Sequence, residues 1–496
     1  MSLNKRSTLI LTIVLAIFSQ LGCVGQTATE EDYRSFTDRR GRTVEARIVQ
    51  AQDDHVTIER RDGKQFRVLV SELSQADQAF VRERLQVGGD EAGQSSPSHA
   101  DWPCFRGPGG MGVSQAKGLP LEWGDGKNVL WKRELPGSGA SSPITFGDRI
   151  YLTAYSGYFV PGESGGSQDQ LRRHLIALDR ASGEILWDQS VPAKLPEEEQ
   201  IRDHGFAANT PAADADHVYA FFGKTGVIAF DHSGRQVWRS DVGSNTHGWG
   251  TASSPLLFDD LVIVNASVES ESLIALDRMT GEEKWRAPEI REAWNTPIIV
   301  TSEAGSKELV LARHGDVLAF DPASGDPLWS CKTDITWYMV PTGVAANGVV
   351  YFLGGRSGTA SLAVRTGGRG DVTATHRLWT TKNGSNVTSP IYFDDHLYWM
   401  SHDGGIAYCA KAESGELVYE QRLGRFGQVY ASPVLADGRL YYFSRDGRAA
   451  VLAATPEFKQ LAANRLDDRS RFDASPAVDG NRILIRSEKF LYCLAE

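Results

Sequence analysis

The chain has 496 residues, too many for a single ordinary core, so its length predicts more than one domain. Hydrophobic residues make up 41% and charged residues 23% of it, which is typical of globular proteins. The net charge is −11 with no long run of either sign, and this argues against nucleic acid as a partner because phosphate binding needs a basic surface.

Residues 1–25 have the pattern of an export signal peptide. A short basic stretch precedes an almost wholly apolar segment, residues 9–18, which is too short for a permanent membrane span. Gly22-Cys23 resembles the end of a bacterial lipobox. Two routes therefore stay open: ordinary signal peptidase cleavage, or lipidation of Cys23 and a lipid anchor. Both predict export to the periplasm or cell envelope.

Four cysteines remain after the signal peptide, at positions 104, 331, 409 and 493. Export permits disulfides, but no spacing pairs these residues, and Cys409 and Cys493 occupy a repeat position that is Ala elsewhere. We expect small buried residues in strands. The sequence contains no CxxC, so a structural zinc site is not expected and we assign no metal ligand.

Residues 34–86 show short alternating strands followed by one helix. Alternation over residues 55–60 predicts strand, and Ser74 can cap a helix with Asp77 at its third position. The matching stretches are GRTVEARIVQ, HVTIERRDGKQFRV and SELSQADQAFV. They resemble the SLA-one homology domain, an SH3-like module with a small barrel. This resemblance implies that fold and a protein-binding role. Residues 87–100, rich in Gly and Ser, are expected to be a linker.

Residues 101–496 consist of repeats. Each unit is expected to open with a small residue or Thr followed by Pro. The eight pairs are Ser142-Pro143, Thr210-Pro211, Ser254-Pro255, Thr296-Pro297, Val340-Pro341, Ser389-Pro390, Ser432-Pro433 and Ser475-Pro476. A later strand ends in Ala-Leu-Asp or Ala-Phe-Asp, a Gly turn follows, and the next strand carries Trp, as in ALDRASGEILW. Four strands in about 43 residues is one blade of a β-propeller. Eight units predict an all-β, eight-bladed propeller of antiparallel blades.

The last unit stops after three strands, at Leu494. Residues 128–135 match the Trp-bearing outer strand of the first unit, so they are predicted to supply the missing strand and close the ring. Each repeated Trp is expected to pack across the junction to the next blade, and each repeated Asp to accept hydrogen bonds from its turn.

These repeats resemble the pyrroloquinoline-quinone-like eight-bladed propeller superfamily over residues 101–496. Its quinone-dependent dehydrogenases hold the quinone over a Ca²⁺ ion with Glu, Asn and Asp ligands, often beside two adjacent cysteines. The sequence has no Cys-Cys pair, and no such ligand set stands out. No catalytic residue is assigned and no cofactor is expected. The superfamily also contains non-catalytic members such as the outer-membrane assembly lipoprotein BamB.

One face of the propeller should carry the loops into each innermost strand and the turns between second and third strands. The candidate ligand-binding residues on this funnel face are His204, Asn209, His247, Trp249, Trp294, Asn295, Arg313, His314, Trp337, Tyr338, Arg356, His402, Asp403, Tyr430, Arg445 and Arg486. Mixed aromatic and charged groups around a concave centre suit a protein or carbohydrate. The alternative is structural: these residues seat inner strands or form ordinary turns.

Two insertions lengthen loops of the first blade on the same side, residues 155–173 and 192–208. The second contains Glu197, Glu198 and Glu199, which are expected to form a solvated acidic face. The sequence favours an exported envelope binding or scaffold protein over an enzyme. The alternative is a quinone- and calcium-dependent dehydrogenase or a carbohydrate-active enzyme.

Overall fold

The computed structural model describes residues 33–37, 42–51, 55–61, 64–69, 73–74, 77–78, 81, 100–124, 126–163, 165–202, 204–355, 358 and 360–496. The export segment with Cys23, the linker up to residue 99, and Arg356 lie outside these residues. The chain divides into two compact units, residues 1–96 and 97–496. Within the described residues, no helix is both long enough and apolar enough to cross a membrane.

The N-terminal unit is a four-stranded antiparallel meander. Its strands are Arg34–Thr37, Thr43–Ala51, His55–Arg60 and Gln65–Leu69. Because successive side chains of a strand point to opposite faces of the sheet, Ala46, Val56 and Ile58 can pack together in one buried cluster. Residues 77, 78 and 81 are helical, and the amide of Asp77 donates to the Ser74 hydroxyl at 3.2 Å. The predicted cap is therefore present.

The second unit contains eight sheets, one per blade, within residues 129–494 as described; seven have four strands and one has five. We name the four main strands of each blade A, B, C and D in their order across the sheet. Blades 1 to 4 consist of Ile144–Phe146, Arg149–Ser156, Arg172–Asp179 and Ile185–Pro192; Ala212–Ala213, His217–Phe221, Val227–Asp231 and Gln236–Ser240; Leu256–Phe258, Leu261–Ala266, Ser272–Asp277 and Glu283–Ala287; Ile298–Thr301, Lys307–Arg313, Asp316–Phe320 and Pro327–Lys332.

Blades 5 to 8 consist of Val344–Ala346, Val349–Leu353, Ser361–Arg365 and Arg377–Thr381; Ile391–Phe393, His396–Met400, Ile406–Lys411 and Leu417–Arg422; Val434–Ala436, Arg439–Phe443, Arg448–Ala453 and Gln460–Arg465; Ala477–Asp479, Arg482–Arg486, Phe490–Leu494 and Val129–Glu134. The two-residue strand Gly370–Asp371 adds to the edge of blade 4. Short helices are Pro108–Gly110, Gln168–Gln170, Gly223–Thr225, Ser267–Ser270 and Thr373–His376.

A closed ring of hydrogen bonds joins the starts of all eight A strands. In each blade a backbone N–H donates to the side-chain hydroxyl of the equivalent residue in the next blade, at 2.9–3.1 Å. The ring residues are Ser142, Thr210, Ser254, Thr296, Thr342, Ser389, Ser432 and Ser475. The amide of Ser475 donates to Ser142, which closes the circle.

The ring corrects one prediction. Val340-Pro341 does not open blade 5, because Val340 has no hydroxyl to accept a hydrogen bond. Thr342 takes the ring position instead, and its amide donates to Ser389 at 3.0 Å.

Blade 8 is completed by the predicted strand from the start of the domain. Val129–Glu134 pairs antiparallel with Phe490–Leu494, and Trp131 lies opposite Cys493. The closing strand is thus confirmed. It joins the two ends of the domain and removes the open edge that the last sheet would otherwise present.

The repeated Trp residues pack across blade junctions, as predicted. The Trp131 indole donates to the Ala181 carbonyl at 3.0 Å, in the C–D turn of the next blade. Its ring lies against Gly183, whose φ is +69°, and a Cβ there would come within 2.6 Å of the ring. Only glycine fits. In the same turn the Asp179 carboxylate accepts from the Ser182 amide at 2.7 Å.

A β-bulge between strands C and D recurs in every blade described. It falls at Ala in blades 1 to 5, at Cys409 and Cys493 in blades 6 and 8, and at Val451 in blade 7, where Ala was expected. Cys331, Cys409 and Cys493 are buried, and the four described cysteines are unpaired. The cysteines in strands therefore fill space as small side chains.

The segment before the closing strand covers the end of the propeller where the A–B turns lie. Trp102 forms an isolated antiparallel β-bridge with Thr145 of blade 1, and Val113 forms a parallel one with Leu435 of blade 7. Between them the guanidinium of Arg106, only 1% exposed, donates to the carbonyls of Pro390 and Met111. The segment therefore forms a floor that lies across the axis at this end.

Candidate functional site

The funnel face carries the D–A loops and the B–C turns, because antiparallel strands place these connections at one end of every blade. An axial cavity opens there, with about 130 Å³ of room for water-sized groups. Its wall includes the residues two positions before each ring hydroxyl: Ala140, Ala208, Ala252, Trp294, Val340, Val387, Tyr430 and Asp473. Phe105 of the floor segment also lines it. The cavity is thus mainly apolar.

Asp473 is the one charged residue among these eight. Its carboxylate accepts from Nε of Arg445 at 2.7 Å and from a terminal nitrogen at 3.0 Å. The same guanidinium lies 3.9 Å from the ring centroid of Tyr430. Burial raises the pKa of Asp473. Arg445 and Tyr430 were predicted from sequence; Asp473 was missed, although its place in the repeat could have identified it.

This wall does not fit the calcium-bound quinone of the dehydrogenases. A calcium ion needs six to eight oxygen ligands, several of them carboxylate. Here both oxygens of Asp473 are engaged by Arg445. In the described part of the chain, no group of three or more His, Cys, Asp or Glu side chains could hold a metal ion.

Five predicted residues meet in an aromatic cluster on the D–A loops of blades 3, 4 and 5. Tyr338 lies 5.4 Å from Trp294, 6.0 Å from Trp249 and 5.0 Å from Trp337, measured between ring centroids. His247 contacts Trp294 edge-on at 5.0 Å. The Trp249 side chain is 39% exposed, so the cluster presents a large ring to solvent.

A groove beside this cluster runs across blades 2 to 4 and encloses about 1920 Å³ of open space. We call it the funnel groove; Lys194, Lys224, Asn245, His247, Trp294 and His314 lie along it. Its charges are largely paired with each other. Arg313 contacts Asp316 at 3.0 Å, and His314 contacts Glu292. The groove therefore carries mixed charge instead of the basic surface that a polyanion requires.

Three predicted residues lie inside the wall. The side-chain amide of Asn209 donates to the Ser253 carbonyl at 2.5 Å. The side-chain amide of Asn295 donates to the Ala312 carbonyl at 2.5 Å. Arg486 is fully buried and donates to the Thr153 carbonyl at 2.6 Å, and burial lowers its pKa to about 9. These contacts hold D–A loops and B strands together. Their position suits the structural alternative.

Three described candidates, His204, His402 and Asp403, lie outside both the aromatic cluster and the funnel groove. His402 contacts Asp403 at 3.4 Å, and the Asp403 carboxylate accepts from Gln428 at 3.3 Å. His204 lines the axial cavity and contacts the Gly205 carbonyl at 3.1 Å. They do not join the aromatic cluster.

The two insertions of blade 1 pack against each other. The Tyr158 hydroxyl donates to the Glu199 carbonyl at 2.7 Å. The expected solvated acidic face is wrong for Glu197, whose side chain is 7% exposed and pairs with Arg173 at 2.5 Å. A buried guanidinium without a counter-charge is costly, so the pairing with Arg173 keeps the Glu197 carboxylate buried.

A small pocket lies between this insertion and blade 3. It has about 20 Å³ of room for a water-sized group, and its lining includes Arg173, Glu197, Glu198, Lys224, Thr251 and Glu269. We call it the Glu269 pocket. Glu269 lies in the short helix Ser267–Ser270, is 2% exposed, and burial raises its pKa to about 8. No sequence pattern marks this residue, because only the contact between blades buries it.

Glu269 should make the stability of the propeller fall as pH rises. The folded chain holds a proton on Glu269 that the unfolded chain has already lost, and that stabilisation disappears as pH rises through about 8. Between pH 6 and pH 8 we expect wild type to lose about 2 kcal/mol relative to Glu269→Gln. Urea unfolding followed by tryptophan fluorescence measures this, since all 12 tryptophans lie in residues 102–399. Parallel pH profiles for the two proteins would contradict the assignment.

A family model described as outer membrane protein assembly factor BamB matches residues 171–409 and 376–483. A curated relative, the outer membrane protein assembly factor BamB of Kangiella koreensis, is 29% identical over 133 residues, or 27% of this chain. The chain spans about 30% of that relative's length.

Solved structures share the fold at low identity. BamB from Moraxella catarrhalis is 15% identical, with a TM-score of 0.52 over 74% of this chain and 97% of its own. The quinohemoprotein alcohol dehydrogenase from Comamonas testosteroni is 12% identical, with a TM-score of 0.52 over 79% of this chain and 80% of its own. Binding proteins and enzymes share this architecture, so the likeness shows the propeller fold alone.

The family match covers well over half of the chain and falls on the repeats that build the blades. The chain therefore belongs to the protein family described as outer membrane protein assembly factor BamB.

Proposed function

We propose that this protein is an exported binding scaffold of the cell envelope that holds a protein partner in the funnel groove, against the aromatic cluster. The observation that carries the proposal is the cluster itself: five rings on three blades, with Trp249 39% exposed beside a groove of paired charges. Exposed Trp and Tyr at the centre of a rigid concave surface are typical of binding hot spots. The family name suggests a component of outer membrane protein assembly as partner.

The axial cavity supports binding over quinone chemistry, since its wall lacks the ligands that a calcium-bound quinone needs.

For the N-terminal unit we propose an SLA-one-like module that gives the scaffold a second protein contact. Both expected processing routes place the protein in the envelope, and mass spectrometry of the mature N-terminus decides between a free end and a lipidated Cys23.

Site-specific photo-crosslinking in native envelopes tests the proposed function. A photoreactive residue in place of Trp249 should capture an envelope protein, while the same residue in place of Leu186, 48% exposed on an outer strand, should not. Tyr338→Ala should weaken the capture at least tenfold, because a hot-spot ring contributes about 2 kcal/mol. Repeating the capture without residues 34–86 tests the second contact.

Equal capture from both positions would refute the groove as the docking site. Capture of carbohydrate alone at Trp249 would refute a protein partner.

A further inference from the structure

The Glu269 pocket has a carboxyl oxygen without a partner. Oε2 of Glu269 is buried and makes no hydrogen bond to any described residue. The side chain is 2% exposed, so bulk water does not solvate it. A buried oxygen left unsatisfied is costly, and such atoms commonly mark a place where a ligand or an ion completes the site.

The cations around the pocket are already engaged. Arg173 pairs with Glu197 at 2.5 Å and donates to the Phe206 carbonyl. Lys224 donates to the Pro196 carbonyl. Glu198 accepts from the Thr246 hydroxyl at 2.5 Å. With Glu269 ionised, three carboxylates therefore face two cations among the described residues, and the pocket lacks one positive charge.

The pocket adjoins the funnel groove. Lys224, Asn245, Thr246 and His247 line both of them. A side chain projecting from a protein docked in the groove could enter between these residues. The pocket has too little unpaired carboxylate to bind a divalent ion. Its carboxyl, hydroxyl and amide oxygens suit a donor with one charge and several N–H groups.

We propose that the Glu269 pocket binds a primary ammonium group, supplied by a lysine side chain of the protein that docks in the funnel groove. This rests on the proposed function for the source of the lysine, but the recognition of ammonium belongs to the pocket alone. The raised pKa of Glu269 agrees with it, since the free pocket then keeps its carboxyl neutral until a cation arrives.

Methylammonium chloride is the probe for the pocket. At pH 8.5 the full mature chain should broaden the methylammonium NMR signal saturably, with a Kd on the order of 10 mM for so small a ligand. Glu269→Gln, which keeps the shape, should weaken this binding at least tenfold. Glu271→Gln, at a carboxyl 48% exposed and paired with Arg291, should leave it unchanged. Circular dichroism should show both variants folded.

Tetramethylammonium has the same charge but no N–H group, and it should not bind. Equal binding of the two ions, or equal binding of methylammonium to wild type and Glu269→Gln, would overturn the proposal.

A competition experiment separates the pocket from the partner. Methylammonium at 10 times its measured Kd should reduce photo-capture from the Trp249 position in wild type but not in Glu269→Gln. Binding of methylammonium without any effect on an existing capture would overturn the assignment to a partner's lysine. Failure of capture from Trp249 under all conditions would overturn the proposed function, while the methylammonium titration would still test the pocket.

Discussion

Replacing Leu491 by Ala is expected to lower the free energy of unfolding of the propeller by about 3 kcal/mol. Leu491 is fully buried on the strand that receives the closing strand, and it lies opposite Arg133. Its side chain packs in the cluster shared by blades 7, 8 and 1, where a truncation leaves a cavity. Urea unfolding followed by tryptophan fluorescence measures the loss.

Leu130→Ala is the matched control. Leu130 lies on the closing strand of the same pair, but its side chain is 57% exposed. Its truncation should change stability by no more than about 0.5 kcal/mol. If the two variants lost equal stability, the junction between the domain's ends would not be packed as described.

Asp479→Ala should cost about 3–5 kcal/mol, because it removes one partner of a buried charge network. Asp479 is fully buried at the end of strand A in blade 8. It accepts from Nε of Arg180 in blade 1 at 2.7 Å and contacts Arg482 at 2.8 Å. Arg180 also pairs with Asp101 at 2.6 Å. The variant would leave two largely buried guanidinium groups without this carboxylate at the closure of the ring.

Asp148→Ala removes a carboxylate from the A–B turn of blade 1 and serves as the control. The Asp148 side chain is 74% exposed and pairs with Arg149 at 2.7 Å. A surface pair of this kind contributes about 0–1 kcal/mol. Comparable losses of unfolding free energy in the two variants would show that Asp479 is solvated and would refute the network.

Stability and binding should be separable in this fold. Leu491 and Asp479 lie at the closing junction, whereas the aromatic cluster lies on the loops of blades 3 to 5. Changes at sites so distant, with no shared partners, are expected to be additive. A variant such as Tyr338→Ala can therefore lose binding without unfolding the ring.

The amino-acid sequence alone determined the architecture. A period of about 43 residues, a Trp at one place in the outer strand and an Asp before each turn all act locally or between adjacent blades, so they are visible in one dimension. The closing strand was legible for the same reason: residues 128–135 repeat the pattern around Trp187 that the last unit lacks. The aromatic members of the funnel face followed from their places in the repeat.

Only the tertiary structure decided which polar groups are buried. Thr342 replaced Val340 in the ring because a hydroxyl was required there, and Arg173 drew Glu197 out of solvent. The side chains of Asn209 and Asn295 are hydrogen-bonded to backbone carbonyls inside the wall. The carboxyl groups of Asp473 and Glu269 are buried. Burial and pairing depend on residues brought together from different blades, and a linear pattern does not record which side chains will share an enclosed space.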